Sequence, residues 1–434
     1  MRGIIFISIL LICCSVKAEE NYKKFSALTK EDVITKSFSI AKTYFNDYQD
    51  PETYVCYGAR LKEKDSWTSP EDVKAKKPAP WGYGSHIEDT ALHCGHLLGA
   101  LINAYNVRQD PFLYENCKKL FKALKFIYSV SPVPGLVPRG PHPNDKTACY
   151  DDSSMDQHTT YIISLALYAN SSIADKEEKE FIKKSLQEVG ERLEKYGWSI
   201  KQADGKTQSH VGFAWTGFVP EHASILLPIL LALYKGTGNN HWLELYEKYG
   251  TEEDSRRWKL LEPGPHIQIN VHPIYANQNC FRLNAFYQFE NNPERKKIIY
   301  DLLEKSTDLQ LEREFPGKWF EDLIKFPTEK VAQACNWEGT SLQGCEIAWK
   351  KFQPSFLDMA DWKIASAASL SHIRFPLGGF HMVMLSEHKE MIKKYVPYVW
   401  DMINIVDLKK TYGGETNYLF TVVSLYLYAF YFNQ

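Results

Sequence analysis

Glu221-His222-Ala223-Ser224-Ile225-Leu226-Leu227-Pro228-Ile229-Leu230 opens a segment, 221–236, that is apolar nearly all round past its first two residues. A helix with no polar face has to be buried on every side. The segment 174–196 reads the other way, because Asp175, Lys176, Glu177, Glu178, Lys179 and Glu180 give it a charged, solvent-facing side. One kind of helix belongs inside a structure and the other around it. An inner ring of helices wrapped by an outer one accommodates both.

The rest of the chain fits that arrangement. Apolar positions recur three and four residues apart, as in Leu97, Leu98, Leu101, Ile102 and Tyr105, and strand-like alternation is scarce. Helices are expected over 30–47, 85–106, 110–129, 153–170, 174–196, 221–236, 238–249, 280–290, 293–312, 355–370, 388–405 and 415–432. Links within several pairs are short (106–110, 170–175, 236–239), whereas 131–152 and 262–279 are long and rich in Pro and Gly. Short links alternating with long ones describe successive helical hairpins. The expected fold is all-α, an (α/α)6-type toroid of hairpins, with incomplete or seven-hairpin rings as variants. A superhelical repeat array is the alternative, but no fixed repeat period supports it.

Composition excludes other classes. Fifty-one Lys and Arg against 53 Asp and Glu leave a formal net charge of −2, with no basic tract, so nucleic acid is not an expected partner. With 26 Tyr, 23 Phe and 11 Trp, the chain can fill a large core and still line a cleft with flat faces. Met1-Arg2, the apolar run Ile4 to Cys14 and the exit Ser15-Val16-Lys17-Ala18 read as a signal peptide over 1–18, cleaved after Ala18. The expectation is one secreted or periplasmic domain over 19–434 with no membrane span; lipid attachment through Cys13 or Cys14 is the alternative. Seven cysteines remain beyond residue 18, and Cys335 with Cys345 is the nominated disulfide. Asn170-Ser171-Ser172 is a sequon, usable only in a eukaryotic secretory route.

Three polar segments stand out. In the first, Trp81 and Tyr83 precede His86, Asp89, His93 and His96, whose spacing puts them on one face of a helix. Such a stripe suits a substrate-facing wall with Asp89 as acid or base; the plainer reading is a capped helix start, Ser85 to Glu88 forming a capping box. Metal ligation by His93, His96 and Asp89 is only weakly signalled, and no metal or cofactor is expected. In the second, Arg139 and His142 lie in a Pro-rich loop leading to Asp151-Asp152-Ser153-Ser154-Met155-Asp156-Gln157-His158. Asp152 and Asp156 repel at i,i+4 unless something intervenes, and Asp156 is the strongest single catalytic candidate. The third comprises His210, Phe213 and Trp215, then His222 beside Glu221, then Tyr275, Asn277, Gln278, Asn279 and Arg282, with Arg374 and His381 weaker. No P-loop, dinucleotide fingerprint, nucleophile elbow or H-E-x-x-H is present.

On these segments the chain resembles the secreted carbohydrate-active enzymes built on α/α toroids, both polysaccharide lyases and glycoside hydrolases. Asp89 and Asp156, each near the start of an expected inner helix, are similar to the paired aspartates of unsaturated glucuronyl and rhamnogalacturonyl hydrolases. The lyases' Tyr or His base and carboxylate grip would fall to Tyr275, His210, His222, Asn277 and Arg282. The resemblance implies an enzyme acting on an acidic, uronate-containing polysaccharide or oligosaccharide. β-Elimination is placed ahead of hydrolysis, with a non-catalytic glycan- or protein-binding toroid as the further alternative. Trp81, Tyr83, Phe213 and Trp215 are expected to face sugar rings, with His86, His93, Arg139, His142, Gln157 and His158 beside them.

Overall fold

The computed structural model describes residues 27–62, 67–77, 79–263, 273–314, 375–405, 408 and 414–432. The expected signal peptide, the helix at 355–370, Cys335 with Cys345, and Arg374 lie outside the described residues.

The helices are α1 Lys30–Tyr48, α2 Pro70–Lys74, α3 Thr90–Val107, α4 Pro111–Val130, α5 Met155–Ala169, α6 Lys176–Lys195 and α7 Pro220–Thr237. They continue as α8 Asn240–Leu261, α9 Pro273–Phe289, α10 Pro293–Glu314, α11 Phe375–Leu385, α12 Lys389–Ile405 and α13 Gly414–Phe432. Local chemistry starts several of them. Thr29 with Asp32, and Asp175 with Glu178, form capping boxes for α1 and α6. Asp110 caps α4, whose first residue is a proline.

Helix packing closes a ring. Helix α3 packs on α5, α5 on α7, α7 on α9, α9 on α11, α11 on α13, and α13 returns to α3. Around these, α4 lies against α3, α6 against α5 and α7, α8 against α7, α10 against α9 and α11, α12 against α11 and α13, and α1 against α13. Among the described residues this is an all-α toroid of six inner and six outer helices. Helix α7 is buried continuously from Ala223 to Leu233, Pro228 included. Helix α6 buries only Ile182, Ser185, Leu186, Val189, Gly190 and Leu193. The contrast between segments 221–236 and 174–196 is therefore the contrast between the two layers.

Three boundaries differ from expectation, each for a local reason. The helix expected from 85 begins at Thr90, because His86 has φ +66° and breaks the helical path. The helix expected from 280 begins at Pro273, so the run Tyr275 to Asn279 is helical, with Asn277, Gln278 and Asn279 buried and Tyr275 exposed. The helix expected over 238–249 reaches Leu261 across a kink at Glu252–Ser255. Because outer helices alternate with inner ones, the inner helices run parallel and their N-termini gather at one end of the ring.

Candidate functional site

The polar segments assemble at that end. Asp89 is the N-cap residue of α3 by position, yet its side chain makes no capping bond. Gln157, fully buried in the first turn of α5, takes over: its Oε1 accepts from Ala91 N at 3.2 Å and its Nε2 donates to Asp89 Oδ1 at 2.9 Å. The close approach needs Gly95, where a Cβ would meet Thr160 Cγ2 at 2.4 Å. Ser154 caps α5, but the reciprocal half of a capping box is missing. Gln157 N donates to Ser154 Oγ, while the Gln157 side chain crosses to the next inner helix.

Arg139 reaches the same place from the 131–154 loop. Its guanidinium, 1% exposed, donates to the Glu88 carbonyl at 3.2 Å and lies 3.8 Å from both Asp89 Oδ1 and Asp152 Oδ2. The Tyr83 ring lies 5.0 Å from it. This resolves the expected clash of Asp152 with Asp156, since Asp152 turns inward to Arg139. Burial pushes the Asp152 carboxyl up, and Arg139, the nearby Ser209 hydroxyl and a hydrogen bond from the His210 N–H oppose the shift. The His210 N–H, 3.1 Å from Asp152 Oδ1, holds that loop against the site. There the His210 ring stacks on Trp81 at 4.5 Å and meets the edge of Tyr83 at 5.2 Å.

Asp156, half-buried in the first turn of α5, completes the group. The Tyr83 hydroxyl is pushed up by burial, with Arg139 opposing and the charges of Asp89 and Asp156 adding to the rise. Asp156 precedes Gln157, whose amide holds Asp89. Tyr275, 41% exposed at the start of α9, lies in the same field. The neighbouring wall carries His222 stacked on Phe213 at 5.4 Å, its Nδ1 accepting from Gly217 N at 3.1 Å. Burial lowers the His222 pKa, with Glu221 opposing. Arg257 braces this wall by donating to the Thr216 and Gly217 carbonyls at 2.6 and 2.9 Å; the sequence offered no signal for it.

Other expected residues are elsewhere. Trp215 is fully buried in the core and presents no face to a sugar. His142 is engaged by Thr68 O and Asn144 N, and His158 by Val137 N, Ser153 and Ser154; both are loop fasteners. Burial pushes His158 down to about 4. His86 is not on the helical stripe and packs edge-on to Trp67. His93 stacks on Tyr418 at 4.2 Å, one turn into α3.

Arg282 and Asn277 point into the ring axis and are sealed there. Arg282 donates to Thr159 Oγ1 at 3.3 Å and Asn279 Oδ1 at 3.1 Å. Desolvation lowers it to about 10, with Asp156 and Glu221 opposing. Asn277 Nδ2 faces His381 Nδ1 at 3.4 Å, and the His381 ring lies 5.3 Å from His96. Both His96 nitrogens, His381 Nε2, Asn277 Oδ1, Asn279 Nδ2 and Arg282 Nε have neither a hydrogen-bond partner nor solvent contact.

No family model matches the chain, and no curated protein matches it. Among solved structures it is similar to a family 76 glycoside hydrolase from a bovine Bacteroides thetaiotaomicron strain, at 11% identity and TM-score 0.48, over 94% of this chain and 79% of that one. It is also similar to a β-1,3-1,4-glucanase from Paenibacillus sp. X4, at 9% identity and TM-score 0.44, over 94% of each chain. A third is a cellobiose 2-epimerase from Spirochaeta thermophila, at 14% identity and TM-score 0.34, over 65% of this chain and 71% of that one. These likenesses lie at the level of architecture, and the toroid itself rests on the helix packing described above.

Proposed function

We propose that this chain is an exported saccharide-processing enzyme that cleaves a glycosidic bond with Asp89 and Asp156 as its working carboxylates. The observation that carries the reading is their position at the starts of adjacent inner helices, bridged by the Gln157 amide on Asp89, beside an aromatic wall of Trp81, Tyr83 and His210. A glycosidase needs one carboxyl to protonate the leaving oxygen and another to serve as base or nucleophile. Asp89 receives an amide donor from Gln157 and lies near the Arg139 guanidinium, an environment that favours a carboxylate; it takes the base or nucleophile role. Asp156 then takes the proton-donor role.

This reverses the order the sequence suggested. Elimination requires a grip on the uronate carboxylate, and the residues expected to supply it, Arg282 and Asn277, are buried below the mouth and already engaged. What the mouth offers is carboxylates and flat rings, a surface suited to the face of a sugar. Tyr275 is the observation that keeps elimination as a second reading, because it is exposed at the start of α9 and of a type that serves as a lyase base.

A panel of neutral and uronate-containing glycans tests both. Release of reducing ends without a new ultraviolet-absorbing double bond is expected. Gain of that absorbance on a uronate polymer would establish elimination instead. Binding of glycans with no turnover of any would leave a non-catalytic toroid.

A further inference from the structure

Cys94 lies on α3, little more than one turn below Asp89, and Cys56 lies on the loop after α1; both are fully buried. The Cys56 N–H donates to Cys94 Sγ at 3.4 Å, while the Cys56 thiol donates to the Tyr54 carbonyl at 3.9 Å and accepts from Gln49 Nε2 at 3.8 Å. The loop is held in place independently: Cys56 forms an isolated β-bridge with Gln49, and Gly58 N donates to the His86 carbonyl at 2.8 Å. Among the described residues, no other cysteine has a second thiol against it; Cys117, Cys149 and Cys280 stand apart. A disulfide needs Cα atoms no more than about 7 Å apart, and a backbone nitrogen in contact with the partner sulfur brings the two residues to that range.

We propose that Cys56 and Cys94 are a disulfide site, oxidised when the chain folds in the presence of a disulfide oxidant such as oxidised glutathione. The two thiols lose two protons and two electrons as the S–S bond forms, and the oxidant's own disulfide is reduced to two thiols. Burial pushes the Cys56 thiol well up, so the thiolate that exchange requires is scarce in the folded protein. The bond is therefore made during folding and, once made, is shielded from reductants. It ties the loop after α1 to α3 and, through Gly58 and His86, braces the turn that leads to Asp89.

The test is to unfold the full chain and refold it with oxidised or with reduced glutathione. Free thiols are then alkylated in denaturant and the peptides mapped. After oxidative refolding, a linked peptide joining Cys56 to Cys94 is expected, lighter by two hydrogens than the separate thiols. Added dithiothreitol should cleave it only after denaturation, and the oxidised form should melt at the higher temperature. A Cys56→Ser, Cys94→Ser double variant should lose the linked peptide and show a smaller melting difference between the two buffers than the wild type. Alkylation of both cysteines in oxidatively refolded protein with native circular dichroism would overturn the proposal, as would linkage of either to another cysteine. If the double variant does not fold, the wild-type map decides alone.

Discussion

The mouth of the ring and its axis are built on the same helices yet differ in what their polar groups can do. Asp89 and His96 are both carried by α3, Asp156 and Thr159 by α5, Tyr275 and Arg282 by α9. Asp89, Asp156 and Tyr275 lie at or within the first turn of their helices, where loops and solvent meet them. His96, His381 and Arg282 lie seven to ten residues into theirs, on the order of 10 Å deeper. At the mouth, charges face each other and open space. On the axis, six polar atoms are buried with no hydrogen-bond partner among the protein groups around them. In this toroid, depth along the inner helix, more than residue type, decides whether a polar side chain is available for chemistry.

The sharpest way to break that comparison is to neutralise one residue from each zone. Asp89→Asn and Asp156→Asn should each lower turnover by on the order of 100- to 10,000-fold with unchanged circular dichroism. His381→Asn should alter stability and leave turnover nearly untouched. An inactive, fully folded His381→Asn variant would assign the axis to the site.

Next in size is Arg139→Met. Asp152 is fully buried, and Arg139 is the cation beside it. Removing one partner of a buried pair strands the other, so denaturant unfolding should show a loss of roughly 3–5 kcal/mol. A loss within about 0.5 kcal/mol, the level of a bland surface change, would mean that Asp152 is held by Ser209 and His210 alone.

How much of this was legible in the sequence follows the same division by depth. The two-layer toroid could be read because burial on every side of 221–236 and on one side of 174–196 is written directly in apolar periodicity. Asp89 and Asp156 could be read because carboxylates at the start of apolar helices conflict with burial. The fate of Arg282 and Asn277 could not, because a polar residue in an apolar helix looks the same whether it lines a cleft or plugs an axis. Trp215 lies in the loop before α7, where no periodicity tells which way the ring turns. The same holds for Arg139, whose role depends on where a 22-residue loop from 131 to 152 folds back. The stripe from His86 to His96 failed for a different reason: His86 takes a left-handed backbone that periodicity does not reveal.

The axis should also respond to pH, more weakly per step than the mouth responds to mutation. Burial pushes His381 down to about 3 and lowers His96 as well, and off the axis it pushes the loop-fastening His158 to about 4. Each is neutral in the folded chain at a pH where its unfolded form already takes a proton. Stability is therefore intact above the unfolded value near 6.5 and falls as pH drops toward the folded values. The expected slope is roughly 1–1.5 kcal/mol per pH unit for each histidine. Denaturant unfolding at several pH values between about 7 and 5 measures it, and His381→Asn should flatten the slope by one proton's share.

Gln157 joins the two zones, so its replacement has the smallest expected effect and the finest discrimination. Its carbonyl oxygen caps α3 and its amide nitrogen holds Asp89, and these two duties can be separated. Gln157→Leu removes both, and the cap alone is worth roughly 0.5–2 kcal/mol. Gln157→Glu keeps an acceptor for Ala91 N but sets a second carboxylate against Asp89. If Gln157 serves only as a cap, Glu should restore both the stability and the turnover that Leu loses. If it also orients Asp89, Glu should restore much of the stability while turnover stays low near neutral pH. Turnover should then partly recover at acidic pH, where one of the two carboxyls takes up a proton.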